Sequence, residues 1–363
     1  MALPVETRLL AASGVVRVLS ELRQGDQVYG ACGSLLTVLA VSGTRPTEVY
    51  EVRFRDGLVL RTSAAHLWHV QSSDRKSRRQ SPRFLCLDAI AGRVRDSAGG
   101  SRHQVPLTAP VELEPINLPV HPYVLGALLG DGGISNKQVY FATADIEMVD
   151  KIAPLLPSGI GPRRRSAYWW NFAAPGPGRR NPLIKALREL DLMGRRAETK
   201  FIPASYMRAG TSQRIALLQG LLDTDGSAST TKPIAFASTS AQLASDLREV
   251  VHSLGGISKA RIGPGTKLPL NWLSITVPDS VNPFALVRKA DLYKIKLRRP
   301  RHLLRAILSV TPVGRELCRE LVVGGDGLFL TDDFLVVADN RSDRRCSPSK
   351  YSPRHRHCSH ELR

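Results

Sequence analysis

The stretch LGALLGDG (125–132), followed by QVYFATADIEMVDKIAPLL, is written a second time as LQGLLDTDG (218–226) followed by PIAFASTSAQLASDLREVV. The echo extends to a later strand, where Tyr168-Trp169-Trp170-Asn171-Phe172 answers Asn271-Trp272-Leu273-Ser274-Ile275. A duplication of this kind restricts the fold more than composition does. Each copy is one supersecondary unit that cannot bury its apolar face alone, so two copies are expected to face each other in pseudo-symmetry. Helix-period and strand-period stretches alternate within each copy, which makes the unit mixed α/β.

Small residues recur four apart in both copies, Gly126 and Gly130 in the first, Gly220 and Thr224 in the second. Four apart on a helix is one face, and small side chains on that face let two backbones approach closely. Gly132 and Gly226 then stop each helix immediately after an aspartate. That arrangement brings Asp131 and Asp225 together. Two such carboxylates repel unless a divalent cation sits between them, and oxygen donors of this kind suit Mg²⁺. A metal so held activates water and steadies the leaving oxygen of a phosphodiester. Either motif alone reads more readily as an ordinary amphipathic helix ending in an Asp-Gly turn; the duplicated frame in a basic chain favours the functional reading.

Around this duplication the texture differs. Residues 1 to about 70 alternate apolar and polar positions between Gly-containing turns, an all-β pattern. Residues 72–83, SSDRKSRRQSPR, contain no apolar side chain and are expected to form a solvated loop. A boundary falls near 116–120, and β texture returns at 307–310, 320–323, 328–330 and 334–337. The expected organisation is one β domain in two pieces, 1–115 and 301–340. An insertion at 116–300, with copies at about 121–210 and 211–300, separates them, and a basic, disordered tail occupies 341–363.

The formal net charge of +19, from 51 Lys plus Arg against 32 Asp plus Glu, creates a field that attracts polyphosphate. Five cysteines at 32, 86, 318, 346 and 358 form no framework and point to reduced thiols. No membrane-spanning apolar run and no secretory signal is evident, so a cytoplasmic protein is expected. Cys346, His355, His357, Cys358 and His360 are zinc-binding types at irregular spacing, and no zinc site is expected there.

VLGALLGDG and LQGLLDTDG together resemble the LAGLIDADG homing endonucleases, over roughly 121–300. The resemblance implies a monomer in which Asp131 and Asp225 are catalytic and metal-binding, each acting on one strand of double-stranded DNA with a long asymmetric target. Twisted sheets from both copies would straddle the duplex. Lysines are expected near the carboxylates. Lys200, in TKFIP, matches by spacing and context, and Lys294, with Lys296 beside it in LYKIKLRR, is the candidate in the other copy. Arg163, Arg164, Arg165 and Arg261 are expected on DNA-facing strands, with Tyr168, Trp169 and Trp170 in the core. The first motif departs by carrying Gly130 where many members have a second acidic residue.

The flanks LPVETRLLAASG, VYEVRFRDGLVLRTSAAHLWHV and ELVVGGDGLFLTDDFLVVADN resemble the two ends of an intein. The implied fold class is α+β: an all-β Hint horseshoe split by a duplicated αββαββα endonuclease. Ser63 and His66 match the oxyanion and general-base pattern, and Asn340 the terminal asparagine. Ala2 stands where the first nucleophile belongs, Asp339 where a histidine belongs, and Arg341 where the downstream nucleophile belongs. The expected function is therefore a metal-dependent DNA endonuclease on a scaffold that has lost splicing. The alternatives are cleavage at Asn340, with Cys318 and Asp326 near the strands that would assist, or a DNA-binding remnant without catalysis.

Overall fold

The computed structural model describes residues 2–78, 80–134, 138–174, 181–265, 268–296 and 303–339. Its architecture is the α+β organisation expected, an all-β domain interrupted by a duplicated α/β insertion. Two buried cores divide along the same line. One gathers residues between 120 and 293; the other draws on 3–113 and 307–338.

A long antiparallel ribbon, Arg45–Phe54 against Leu304–Arg319, spans the β domain. The sequence reading ended the second of these strands at 310, and Pro312 and Gly314 follow. The structure carries the strand through both, with register shifts flanking Ile307/Ser309 and Pro312/Gly314. A proline cannot donate to a ladder, and a bulge is where a strand tolerates one; Gly314 takes φ 108° there. Further on, Phe334 has φ 59° in a turn, so the last strand starts only at Val336. The stretch expected as a solvated loop from 72 opens with a short helix, Ser73–Ser77. Ser72 accepts from the Arg75 amide at 3.3 Å and Asp74 sits in the first turn, both helix-starting signals.

Each copy in the insertion reads αββαββα. The first runs α1 (Pro122–Gly130), β1 (Gly132–Ile134), β2 (Val139–Ala142), α2 (Ile146–Ile152), β3 (Gly161–Arg164), β4 (Trp169–Ala173), α3 (Pro182–Glu189). The second runs α4 (Thr211–Asp225), β5 (Gly226–Ser227), β6 (Ile234–Ser238), α5 (Ala241–Ser253), β7 (Ile257–Gly263), β8 (Leu270–Thr276), α6 (Val287–Lys296). The two antiparallel sheets have the same order, β1-β2-β4-β3 and β5-β6-β8-β7. Phe141, Phe172, Phe236, Leu273 and Ile275 are buried on the helix-facing sides, so alternation puts their neighbours on the outer faces.

Polar contacts tie the insertion to the β domain. Arg214, fully buried in α4, donates to the Ser253 carbonyl at 3.0 Å and to the Val111 carbonyl. Arg248 on α5 donates to the Asp56 carbonyl at 3.1 Å, while the Asp56 carboxylate meets Arg305 at 2.7 Å with both side chains enclosed. Removing one partner of a buried pair strands the other charge. Asp56→Ala is therefore expected to lower unfolding stability by about 3–5 kcal/mol, read as the urea midpoint; a loss within about 0.5 kcal/mol, the range of surface substitutions, would show that Arg305 has another route to water.

Candidate active site at the paired helices

Helices α1 and α4 cross in direct backbone contact, and the glycines allow it. A Cβ at Gly126 would lie 2.3 Å from the Leu217 carbonyl oxygen, and one at Gly220 would lie 2.2 Å from that of Tyr123. At the end of the pair, a Cβ at Gly130 would lie 2.0 Å from Thr224 Oγ1 and 3.2 Å from Asp225 Oδ2. The carboxylate of Asp225 thus sits against the residue next to Asp131, as the spacing required. This register corrects one sequence expectation. Gly130 pairs with Thr224 in the repeat, and the counterpart of the additional acid, Asp223, is Leu129. Asp223 is buried; its Oδ2 accepts from Tyr123 Oη at 2.9 Å and from the amides of Ala285 and Leu286 at 3.1 Å each.

Two lysines close the helix ends. Lys200 is buried, and its Nζ faces the carbonyls of Leu128, Leu129, Gly130 and Gly132 at 3.0, 2.9, 2.9 and 2.8 Å. Lys289 does the same for α4, with Leu222 at 2.9, Asp223 at 2.7 and Gly226 at 2.6 Å. A helix C-terminus leaves its last carbonyls without partners and carries partial negative charge, so an ammonium there answers both needs. Lys200 is where the sequence placed it. Lys294 is not: its side chain is 69% exposed and pairs with Asp291 at 3.1 Å. Lys289 occupies the expected position. The overlooked signal is helical phase, since Lys289 lies four residues before Tyr293 on the buried stripe of α6.

Asp131 and Asp225 retain open sides to solvent yet feel the surrounding protein. Desolvation, and for Asp225 the neighbouring Asp131, push both carboxyls up, Asp225 to about 6, while the two lysines oppose the shift. Burial lowers Lys200 to about 8, against the pull of Asp225 and Asp131. A cleft of about 630 Å³ opens beside Asp131, walled by Lys200, Tyr140, Gly194, Arg195 and Arg196.

Among the described residues no cluster of three or more His, Cys, Asp or Glu side chains is assembled to hold a metal. The two carboxylates nonetheless fit Mg²⁺, which keeps several waters and takes one or two carboxylates plus substrate phosphate oxygens. The desolvation that raises Asp225, together with the neighbouring charge of Asp131, is what a dication would offset.

On the outer sheet faces, Arg163 lies opposite Asn171 and the Arg165 amide donates to the Trp169 carbonyl at 2.8 Å. Lys259 lies opposite Ser274 and Arg261 opposite Trp272, so the two copies carry matching basic rows, all exposed. Arg164 points to the other face, its guanidinium 5.6 Å from the Trp170 ring centre. Tyr168 and Trp169 were expected in the core but are 60% and 46% exposed. The alternation of β4 that buries Phe172 turns Trp169 outward.

In the β domain, the Ala2 amide donates to Ser63 Oγ at 2.8 Å, and the Ser63 amide to the Ala2 carbonyl at 3.0 Å. His66 is buried with neither ring nitrogen hydrogen-bonded among the described residues. Burial lowers it to about 3, leaving the ring neutral. Cys318, fully buried, packs with Ala2 and Val49 in a small cluster of their own. Asp339 is buried and accepts from the Val323 amide at 3.2 Å, and Asp326 accepts from the Leu328 amide at 3.0 Å. Asn340, Arg341 and the Cys and His residues of the tail lie outside the described residues, as does the side chain of Lys296.

The LAGLIDADG-like domain family matches residues 212–285. Over 365 aligned residues the chain is 29% identical to the replicative DNA helicase DnaB of Mycobacterium intracellulare, covering 93% of this chain and 58% of that protein. It is 29% identical to the DnaB helicase of Rhodothermus marinus over 232 residues, 59% of this chain and 22% of that one. The chain therefore spans under two thirds of the length of these relatives. Similar solved structures include the MchDnaB-1 intein, 27% identical over 28% of this chain and 66% of that chain with a TM-score of 0.21. Another is I-DmoI in complex with DNA and Mn, 17% identical over 44% of this chain and 89% of that chain with a TM-score of 0.31.

Proposed function

We propose that this chain, a LAGLIDADG-type duplicated domain set within an intein-type β domain, is a metal-dependent endonuclease that cuts both strands of a long asymmetric DNA site. The observation that carries the reading is the convergence of Asp131 and Asp225 at the ends of two interlocked helices, each end backed by a buried lysine. Asp131 and Asp225 would hold the divalent cation, which when bound supplies a water of lowered pKa and charge for the leaving oxygen. Lys200 and Lys289 fix the helix ends and lend positive potential where phosphate charge develops. Arg163, Arg165, Lys259 and Arg261 are placed to meet phosphates or guanine edges across the outer sheet faces. Two copies with different side chains on those faces favour an asymmetric target and a monomer. The test is incubation with Mg²⁺ of a plasmid carrying an uninterrupted DnaB helicase gene, the class of gene to which the relatives belong. Linearisation at one site supports the reading, and intact plasmid despite bound protein retires it.

A second activity is favoured by the cluster of Ala2 with Cys318. Ala2 and Arg341 lack attacking atoms, which is why splicing was expected to be lost. The Cys318 thiol, distant in sequence, lies against Ala2, whose amide donates to Ser63 Oγ. Its sulfur would add to the carbonyl carbon of the residue before Ala2. The bond to the Ala2 nitrogen breaks, and the thiol proton passes to the departing amine. Water then hydrolyses the thioester. With a reporter protein fused upstream of Ala2, hydroxylamine is expected to release the reporter from the parent chain and not from Cys318→Ala. No release from either would remove this second activity.

A further inference from the structure

The two lysines that close the helix ends are held in unequal ways. On either side of Phe201, the first copy's segment is pinned by the second copy. Ser240 Oγ donates to the Lys200 carbonyl at 2.6 Å, and the Ile202 amide donates to Asp246 Oδ2 at 2.8 Å. Ser240 caps α5 by accepting from the Leu243 amide at 3.0 Å, and Asp246 lies on the same helix, its other oxygen taken by Gln242 at 2.7 Å. Both are buried, at 0% and 4% exposure. The second copy's lysine segment is pinned instead by Asp223 of its own copy. Its ties to the first copy are at the surface: the Val287 amide to Glu147 at 3.0 Å, and Arg288 to Asp145 at 3.0 Å. Asp145 caps α2 and is the repeat counterpart of Ser240.

We infer that Ser240 and Asp246, on the middle helix of the second copy, are positioning residues for Lys200 at the end of α1, so that one half of the molecule sets the geometry of the other half's site. Neither residue reaches the DNA-facing cleft; each acts through the backbone of 200–202, from which the Lys200 side chain reaches α1. A buried hydrogen bond held on both sides of one residue leaves that residue little freedom, whereas a solvent-exposed pair restrains its partners weakly. The consequence for cutting rests on the endonuclease reading of Lys200; the restraint itself does not.

The experiment uses the full chain with Ser240→Ala, Asp246→Ala, Ser240→Thr and, as control, Asp145→Ala, which also removes one helix cap. Lysine acylation by an N-hydroxysuccinimide ester, read by mass spectrometry at pH 8, is measured first because it needs no cutting. Lys200 is expected to label about tenfold faster in the two alanine variants of α5, an opened buried site exposing its amine, with Lys289 unchanged and Ser240→Thr restoring protection. Unchanged Lys200 labelling in both variants overturns the inference. Strand-resolved nicking of the cognate plasmid comes second. Ser240→Ala and Asp246→Ala should slow one strand relative to the other by about tenfold, as displaced catalytic groups do, while Asp145→Ala keeps the parent ratio. Equal slowing of both strands, tracking a drop in melting temperature, would assign these residues a structural role only. A parent chain that cuts nothing counts against the endonuclease reading and leaves the labelling result to decide the restraint.

Discussion

Asp225→Asn is expected to abolish double-strand cutting while leaving the protein folded and bound to DNA, and Asp131→Asn is expected to do the same. The drop in cleavage rate should be on the order of 10²–10³-fold or more, the size associated with removing one preorganised group at a developing charge. The sign of the accompanying stability change separates chemistry from fold. The Asp225 carboxyl is raised to about 6 from 3.8, so its protonated form is the one the fold prefers. Its charge costs stability progressively as pH rises from about 4 through 6. At pH 7 the neutral asparagine removes that cost, and the variant should melt at or above the parent temperature. DNA binding should hold or tighten, because a negative charge facing phosphate has been removed. A variant that loses cutting together with melting temperature and binding would mean that Asp225 is structural, and the endonuclease assignment would lose its central residue.

The contrast between what the chain declares in one dimension and what only folding reveals is sharpest at this site. Asp131, Asp225 and Lys200 were legible because each sits inside a short pattern: an aspartate one residue before a helix-stopping glycine, and a lysine in a fixed run before the second motif. Lys289 was not, because it lies on α6 itself, whereas Lys200 lies beyond α3, the matching helix of the first copy. It is identified by the direction of its side chain on α6, a property of helical phase against a buried stripe. Ser240 and Asp246 were invisible for a different reason: their partner is backbone from the opposite copy, and a hydrogen bond to a carbonyl or amide leaves no mark on the partner's residue type.

The β domain repeats the lesson. Ser63 and His66 could be read from SAAHLW, but the meeting of Cys318 with Ala2 depends on a strand that continues through Pro312 and Gly314, the two residues that in sequence most argue for ending it. The exposed Trp169 was misplaced because hydrophobicity was weighed without the alternation that buries Phe172 three positions later. In each case local chemistry was legible and cross-strand or cross-copy proximity was not.

The close helix pair allows a second large effect to be anticipated. Gly220→Ala adds one methyl group in a helix interior, where alanine is intrinsically better than glycine by roughly 1 kcal/mol. At an exposed site that substitution would stabilise. Here the new Cβ would stand 2.2 Å from the Tyr123 carbonyl oxygen and 2.7 Å from the Ala127 amide nitrogen. Both are backbone atoms of the facing helix, which cannot rotate aside as a side chain can. Relief requires α1 and α4 to separate, which breaks the apolar contacts between them and moves both carboxylates at once. Overpacking of this kind costs typically about 1–3 kcal/mol and can exceed it. A net loss of stability is therefore expected, with cleavage of both strands falling together because one displacement shifts both aspartates. Gly130→Ala gives the internal comparison: its Cβ would meet Thr224 Oγ1 at 2.0 Å, a hydroxyl that can give up bonds to the Gly220 and Leu221 carbonyls and rotate away, and Thr224 Cβ at 2.8 Å, a smaller overlap that remains. Its loss should be smaller than that of Gly220→Ala. Thermal melting and cleavage measured on the two variants decide the matter, and a Gly220→Ala protein as stable as the parent would show that the helices have room the backbone contacts deny.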